Sequence, residues 1–452
     1  MPSEAGHEPL QFPTLNFFWH TRCPEPSLCF RRRALRDLFG AAHFLARGDV
    51  DMKYSFICTM IFVSLVALPA SSTSSATATG CPDRSAGSVT IPFTLLGNHI
   101  YTDAMVNDTG PYRFLVDTGG VNLIDTRLIK TLSLKITQTE TGHGVGGATV
   151  KSSETTLDRL ILGNATFRAE RFYTFDMQQL YANGGVEMAG MIGASLFRQY
   201  VTCIDFSHHV IDLINPPDFD PSAAGAVLPM TVKNSEITVH GSFDGFAGRF
   251  QIDTGSPTTV TLNSPFVEQH KLLIRFPQHL EASVSGVGGS ISSYAARGTN
   301  LTLGSVRIDH PITVFTTGSK GQFARHDLSG NIGIGALKRW VVTFNFPRQQ
   351  LYLKPYEPEP PDLDTYDRSG LRIELTSDGF RVSSVVRGTP AAEARMQPND
   401  LIVAVDGESA SSITLPTMRD ELKQRPAGSI VTLDVKTDGK VRSVSLKLRD
   451  LL

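Results

Sequence analysis

Two Asp-Thr-Gly triplets, Asp117-Thr118-Gly119 and Asp253-Thr254-Gly255, stand 136 residues apart, and each closes a strand-like run, Arg113-Phe114-Leu115-Val116 and Arg249-Phe250-Gln251-Ile252. A strand that runs into Asp-Thr-Gly leaves its carboxylate at the strand end, because glycine permits the positive φ expected of the sharp turn that follows. Two such carboxylates brought to about 3 Å cannot both ionise, so they share a proton. One then acts as general base on a water between them, while the protonated partner polarises a peptide carbonyl. This chemistry needs neither a metal nor a covalent nucleophile, and the pair titrates as a unit. Thr118 and Thr254 are placed to hydrogen-bond across the two turns, and Ser256 to donate to its neighbouring carboxylate and favour ionisation there.

The elements that position these residues belong to an internal repeat. Gly144-Val145-Gly146-Gly147 recurs as Gly286-Val287-Gly288-Gly289, Leu162-Gly163 as Leu303-Gly304, and Met191-Ile192-Gly193 as Asn331-Ile332-Gly333, always in the same order. The duplicated unit covers 89–218 and 227–356. Each copy reads as short alternating strands separated by Gly, Asn, Asp and Pro turns, an all-β lobe. A third triplet, Asp108-Thr109-Gly110, lies outside this register and precedes Pro111; it reads as a hairpin turn.

The repeat resembles the aspartic proteases of the pepsin and retropepsin type. The likeness rests on Leu115-Val116-Asp117-Thr118-Gly119 with Met191-Ile192-Gly193, and on Gln251-Ile252-Asp253-Thr254-Gly255 with Ile332-Gly333. It implies a mainly β, bilobal, pseudo-twofold acid-protease barrel fold. It also implies endopeptidase activity on peptides or unfolded proteins, with Asp117, Thr118, Gly119, Asp253, Thr254, Gly255 and Ser256 forming the catalytic turns. The glycine-rich segments fall where the family's flaps lie, so His143, Gly144, Val145, Gly146, Val287 and Gly288 are the expected substrate-binding residues. Two positions depart from the pattern: Gly120 offers no hydroxyl to Asp117, which implies a less acid optimum than a pepsin's, and Asn331 replaces a hydrophobic residue. Both motivate an alternative, a non-catalytic peptide-binding protein that keeps an inactive cleft.

After Glu357-Pro358-Glu359-Pro360-Pro361, read as a stiff and solvated linker, residues 369–449 resemble a PDZ domain, a small β-barrel with helices. The matching segments are Gly388-Thr389-Pro390-Ala391-Ala392 and Asn399-Asp400-Leu401-Ile402-Val403-Ala404-Val405-Asp406-Gly407. By that resemblance Gly370, Leu371, Arg372 and Ile373 offer backbone N–H groups to a peptide carboxylate, beside a helix over 417–424. Protein C-termini are the implied partners, and the domain is expected to recruit or gate substrate.

Upstream, Met52-Lys53 leads into the apolar run Phe56–Leu68 and Ala76-Thr77-Ala78, the grammar of a signal peptide over 52–78. The expected compartment is therefore exported: periplasmic, cell-surface or secreted, with an uncleaved, membrane-tethered form as the alternative. Residues 1–51 read as an upstream extension without chemistry. The five cysteines are too scattered for a zinc site, so no metal and no cofactor are expected; Cys81 and Cys203 could pair after export, but Cys203 sits in an apolar strand as a buried free thiol would. With 42 basic against 44 acidic residues, the chain has no global positive field, which excludes nucleic acid as the main partner.

Overall fold

The computed structural model describes residues 80–81, 88–360 and 364–452. The proposed signal segment and upstream extension lie outside them. The two repeats fold into two lobes with the same strand order. In the first, the sheet runs Thr94–Leu96, His99–Val106, Thr109–Asp117, Gly190–Gly193, Leu123–Asp125, Ala165–Phe175, Thr149–Leu162 and Ile136–His143. In the second, Glu236–Phe243, Phe246–Ile252, Gly330–Ile332, Val260–Leu262, Ile312–Thr316, Gly289–Arg297 and Leu280–Gly286 follow the same path.

Alternation explains why these segments are strands. Phe114 and Val116 point into the main core while Leu115, between them, packs on the opposite face with Tyr101 and Met191. The hairpin ahead of each Asp-Thr-Gly turn is tight: Asn107 and Asp108 have φ of 45° and 69°, and Asp244 and Gly245 have 50° and 82°, as a two-residue primed turn requires. The third triplet, Asp108-Thr109-Gly110, is thus part of a hairpin.

The lobes are joined by a shared sheet. Val201–Asp205 of the first pairs antiparallel with Trp340–Asn345 of the second, Val201 facing Asn345 and Ile204 facing Val342. Val210–Ile214 and Val89–Pro92 extend it on one side, Gln350–Pro355 and Ala226–Lys233 on the other. One hydrophobic core runs through both lobes and this junction. Cys203, fully buried in the junction, forms a disulfide with Cys81, which pins the chain ahead of the first lobe to it.

The C-terminal domain has its own core, built from Phe380, Ile402, Leu415, Met418, Leu433 and their neighbours. Its helix, Leu415–Gln424, buries Leu415, Met418 and Leu422 at helical spacing, starts on the Thr414 cap and ends before Pro426. The Pro-rich linker is solvated at Glu357, Pro358 and Glu359, as its composition suggested, but the chain that follows it is not. Asp364 is buried against the second lobe, where it accepts from Thr259 Oγ1 at 2.5 Å and pairs with Arg339.

Candidate active site

Asp117 ends the strand Thr109–Asp117, and Asp253 follows the strand Phe246–Ile252. The parallel neighbours, Gly190–Gly193 and Gly330–Ile332, flank these strand ends and fix where each turn begins. Within each turn the glycine N–H returns to its own aspartate, Gly119 to Asp117 Oδ1 and Gly255 to Asp253 Oδ1, both at 2.9 Å.

Threonines lock the turns together across the lobe boundary. Thr254 Oγ1 accepts from the Thr118 N–H at 3.0 Å and donates to the Val116 carbonyl at 2.8 Å. Thr118 Oγ1 does the converse, accepting from Thr254 N–H and donating to Ile252 O, both at 3.0 Å. Both threonines are buried, so all four bonds are shielded from water.

The result is a pair of carboxylates in hydrogen-bond contact, each lying against the opposite glycine. Burial raises both above the ordinary carboxylate range, and the charge of Asp117 raises Asp253 further. A pair held this way carries one shared proton over a range of pH in which separate aspartates would be fully ionised.

Ser256 meets the Asp253 carboxylate through its backbone N–H, which favours ionisation there, and not through its hydroxyl. Its Oγ pairs with Thr258 Oγ1 at 2.9 Å, and Thr258 Oγ1 in turn with Thr261 Oγ1. The side-chain donor at Asp253 is Asn331, whose Nδ2 stands 2.5 Å from Oδ2. The residue that departs from the family pattern is therefore in contact with the dyad. Gly120 backs Asp117 closely: a Cβ there would be 2.7 Å from Oδ2.

The expected substrate-binding residues meet at two hairpin tips. Gly146 N–H donates to Val287 O and Ala148 N–H to Gly288 O, each at 3.3 Å, so the flaps of the two lobes are bonded to one another. Gly144 also touches Val287, and Val145 packs on Gly286. The His143 side chain lies outside the described residues.

His99 was not anticipated, because nothing local marks a histidine at a strand start. It hydrogen-bonds the backbone at Gly97 and at Gly255, in the second catalytic turn, and burial pushes it down to about 4, with the nearby Arg419 guanidinium adding to the effect. Arg419 belongs to the C-terminal domain's helix, whose Pro416 faces Gly97 in the turn just before His99.

That domain's groove is also engaged. The strand Leu371–Thr376 is a sheet edge, yet Arg419 donates to its Ile373 carbonyl at 2.8 Å and the first lobe's helix Gln178–Gly184 packs against it. The following Gly185 lies so close to Leu415 that a Cβ would stand 2.5 Å from Leu415 Cβ. The N–H groups expected to face a carboxylate are partly taken inside the domain. Gly370 donates to Asp367 Oδ2 at 2.7 Å and Leu371 to Ser369 Oγ at 3.0 Å, while the Arg372 side chain bonds Tyr366.

Among the described residues no group of three or more His, Cys, Asp or Glu side chains is arranged to hold a metal ion. The aspartyl protease family model matches residues 102–196, within the first lobe, and the PDZ domain model matches residues 369–448. Among solved structures, the chain is similar to the aspartic proteinase from Irpex lacteus at 14% identity and a TM-score of 0.40, over 59% of this chain and 97% of that one. No curated protein matches.

Proposed function

From a chain that carries an aspartyl protease-like domain followed by a PDZ domain, we propose an exported aspartic endopeptidase whose PDZ domain gates access to the cleft. The observation that carries this reading is the carboxylate pair, Asp117 and Asp253, held in contact by reciprocal Thr118 and Thr254 bonds between two lobes of one chain.

In the proposed reaction the ionised member of the pair takes a proton from a water seated between the carboxylates, and the water oxygen bonds to the scissile carbonyl carbon. The protonated member donates to the carbonyl oxygen, forming a tetrahedral diol. Collapse breaks the C–N bond as the carboxyl proton passes to the leaving nitrogen, while the other carboxylate takes a proton from a diol hydroxyl; the carbonyl re-forms and the pair again holds one shared proton. The bonded flaps exclude bulk water from this step. The apolar cluster of Leu115, Met191, Tyr101 and Phe175 beneath Val287 favours a bulky apolar substrate side chain on the first-lobe side.

Gating is supported over recruitment by the first-lobe helix lying on the PDZ edge strand. Export is supported by the Cys81–Cys203 disulfide, which persists in an oxidising compartment, together with the signal-type segment 52–78.

The test is cleavage of unfolded casein by the 79–452 chain from pH 3 to 7, with and without pepstatin, beside Asp117→Asn and Asp253→Asn. The proposal requires cleavage that pepstatin and either substitution abolish. A folded chain that binds peptide and leaves casein intact would overturn it in favour of the non-catalytic reading.

A further inference from the structure

The two lobes share a backbone path but differ beneath their flaps. Two residues before each catalytic aspartate stand Leu115 in the first lobe and Gln251 in the second. Their lateral neighbours are Met191 and Leu123 in the first, Asn331 and Thr261 in the second. An apolar row in one lobe is therefore matched by a buried polar row in the other, at the same positions of the repeat.

The two rows are linked to the opposite flaps in different ways. Val287, on the second-lobe flap, packs on the apolar cluster that contains Leu115 and Met191. The first-lobe flap is held by hydrogen bonds instead. Gly144 O, at its tip, accepts from the backbone N–H of Gln322 at 3.2 Å. Gln322 Nε2 donates to Gln251 Oε1 at 3.0 Å, and Gln251 Nε2 donates to Gly119 O at 3.0 Å. The loop before Gln322 lies flush with the flap, for Gly321 has no room for a Cβ beside Val145 O. The path runs from the first flap through two second-lobe amides to the turn that carries Asp117.

We infer that Gln251 and Gln322 are positioning residues that tie closure of the first-lobe flap to the catalytic turn of the same lobe. A leucine at 251, as at the equivalent 115, could support a flap by contact but could not orient the Gly119 carbonyl. An amide with both ends bonded does so because its donor and acceptor are fixed on opposite sides of one rigid plane. Gln251 is 2% exposed, so water does not compete for either bond. The kinetic consequence rests on the proposed peptidase reading; the link between flap and turn does not.

The test uses the 79–452 chain with Gln322→Ala, Gln251→Leu and the double variant. Hydrogen exchange at residues 144–148 should speed up about tenfold in each single variant, and the double variant should add little, since both cut one path. With a peptide substrate, kcat should fall by about tenfold while KM changes less, because the turn is misplaced and the cleft is not. Unchanged exchange in Gln322→Ala, or additive effects in the double variant, would overturn the inference. Gln322 is only half-buried, so its variant decides the matter if Gln251→Leu does not fold. A parent chain without cleavage would refute the peptidase reading, while exchange would still decide the latch.

Discussion

Gly119 lies against the carboxylate of Asp253: a Cβ on it would stand 2.5 Å from Asp253 Cγ. Gly255 has the same relation to Asp117. Each Asp-Thr-Gly turn thus closes over the acid of the other lobe, and the glycines are what allow the carboxylates to approach one another. Glycine serves here for close approach, since neither residue has a positive φ.

That burial has a cost in stability. The folded chain holds Asp253 above its ordinary value, so its contribution favours folding below pH 4 and is lost as pH rises through the folded pKa. Asp253→Asn removes a carboxyl group that folding forces either to take up a proton or to be desolvated as a second anion beside Asp117. Its melting temperature should exceed the parent's at pH 7 and converge with it towards pH 3. A variant less stable than the parent at pH 7 would contradict the buried-pair assignment.

Thr118→Val should cost about 2–5 kcal/mol of unfolding free energy, because it leaves the Thr254 N–H and the Ile252 carbonyl unpaired in a dry junction. Thr118→Ser keeps both bonds and should lose far less. Urea unfolding of the two variants makes the comparison; equal losses would mean that methyl packing, not hydrogen bonding, holds the turns.

The Cys81–Cys203 bond spans 122 residues of sequence. Cys81→Ser should lower stability by about 2–5 kcal/mol, and a reductant should then have no further effect. Equilibrium unfolding with and without dithiothreitol checks this. A parent chain indifferent to reductant would show that the bridge does not form in solution.

With the first-lobe helix Gln178–Gly184 on its edge strand, the PDZ groove should be closed to ligands in the whole chain. Residues 364–452, which have a core of their own, should bind a C-terminal peptide at least about tenfold more tightly than 79–452 does. Fluorescence anisotropy with one labelled peptide measures both. Equal affinities would refute gating and favour recruitment.

Much of this protein is legible along the chain. Repeats, strand alternation, hairpin turns and the Asp-Thr-Gly register are local patterns, and each is set by neighbours a few residues away. They placed Asp117 and Asp253 on matching turns and both glycine-rich tips on matching hairpins. The tertiary structure decided which partner each side chain takes. The Ser256 hydroxyl turned to Thr258 and left the side-chain bond to Asp253 to Asn331, 78 residues on. The Cys81–Cys203 pair, the approach of His99 to Gly255 and the Gln251–Gln322 relay likewise join residues 71 to 156 positions apart in the chain. Sequence periodicity reports which face a residue occupies, whereas the partner across that face depends on how separate strands and lobes come to rest against one another.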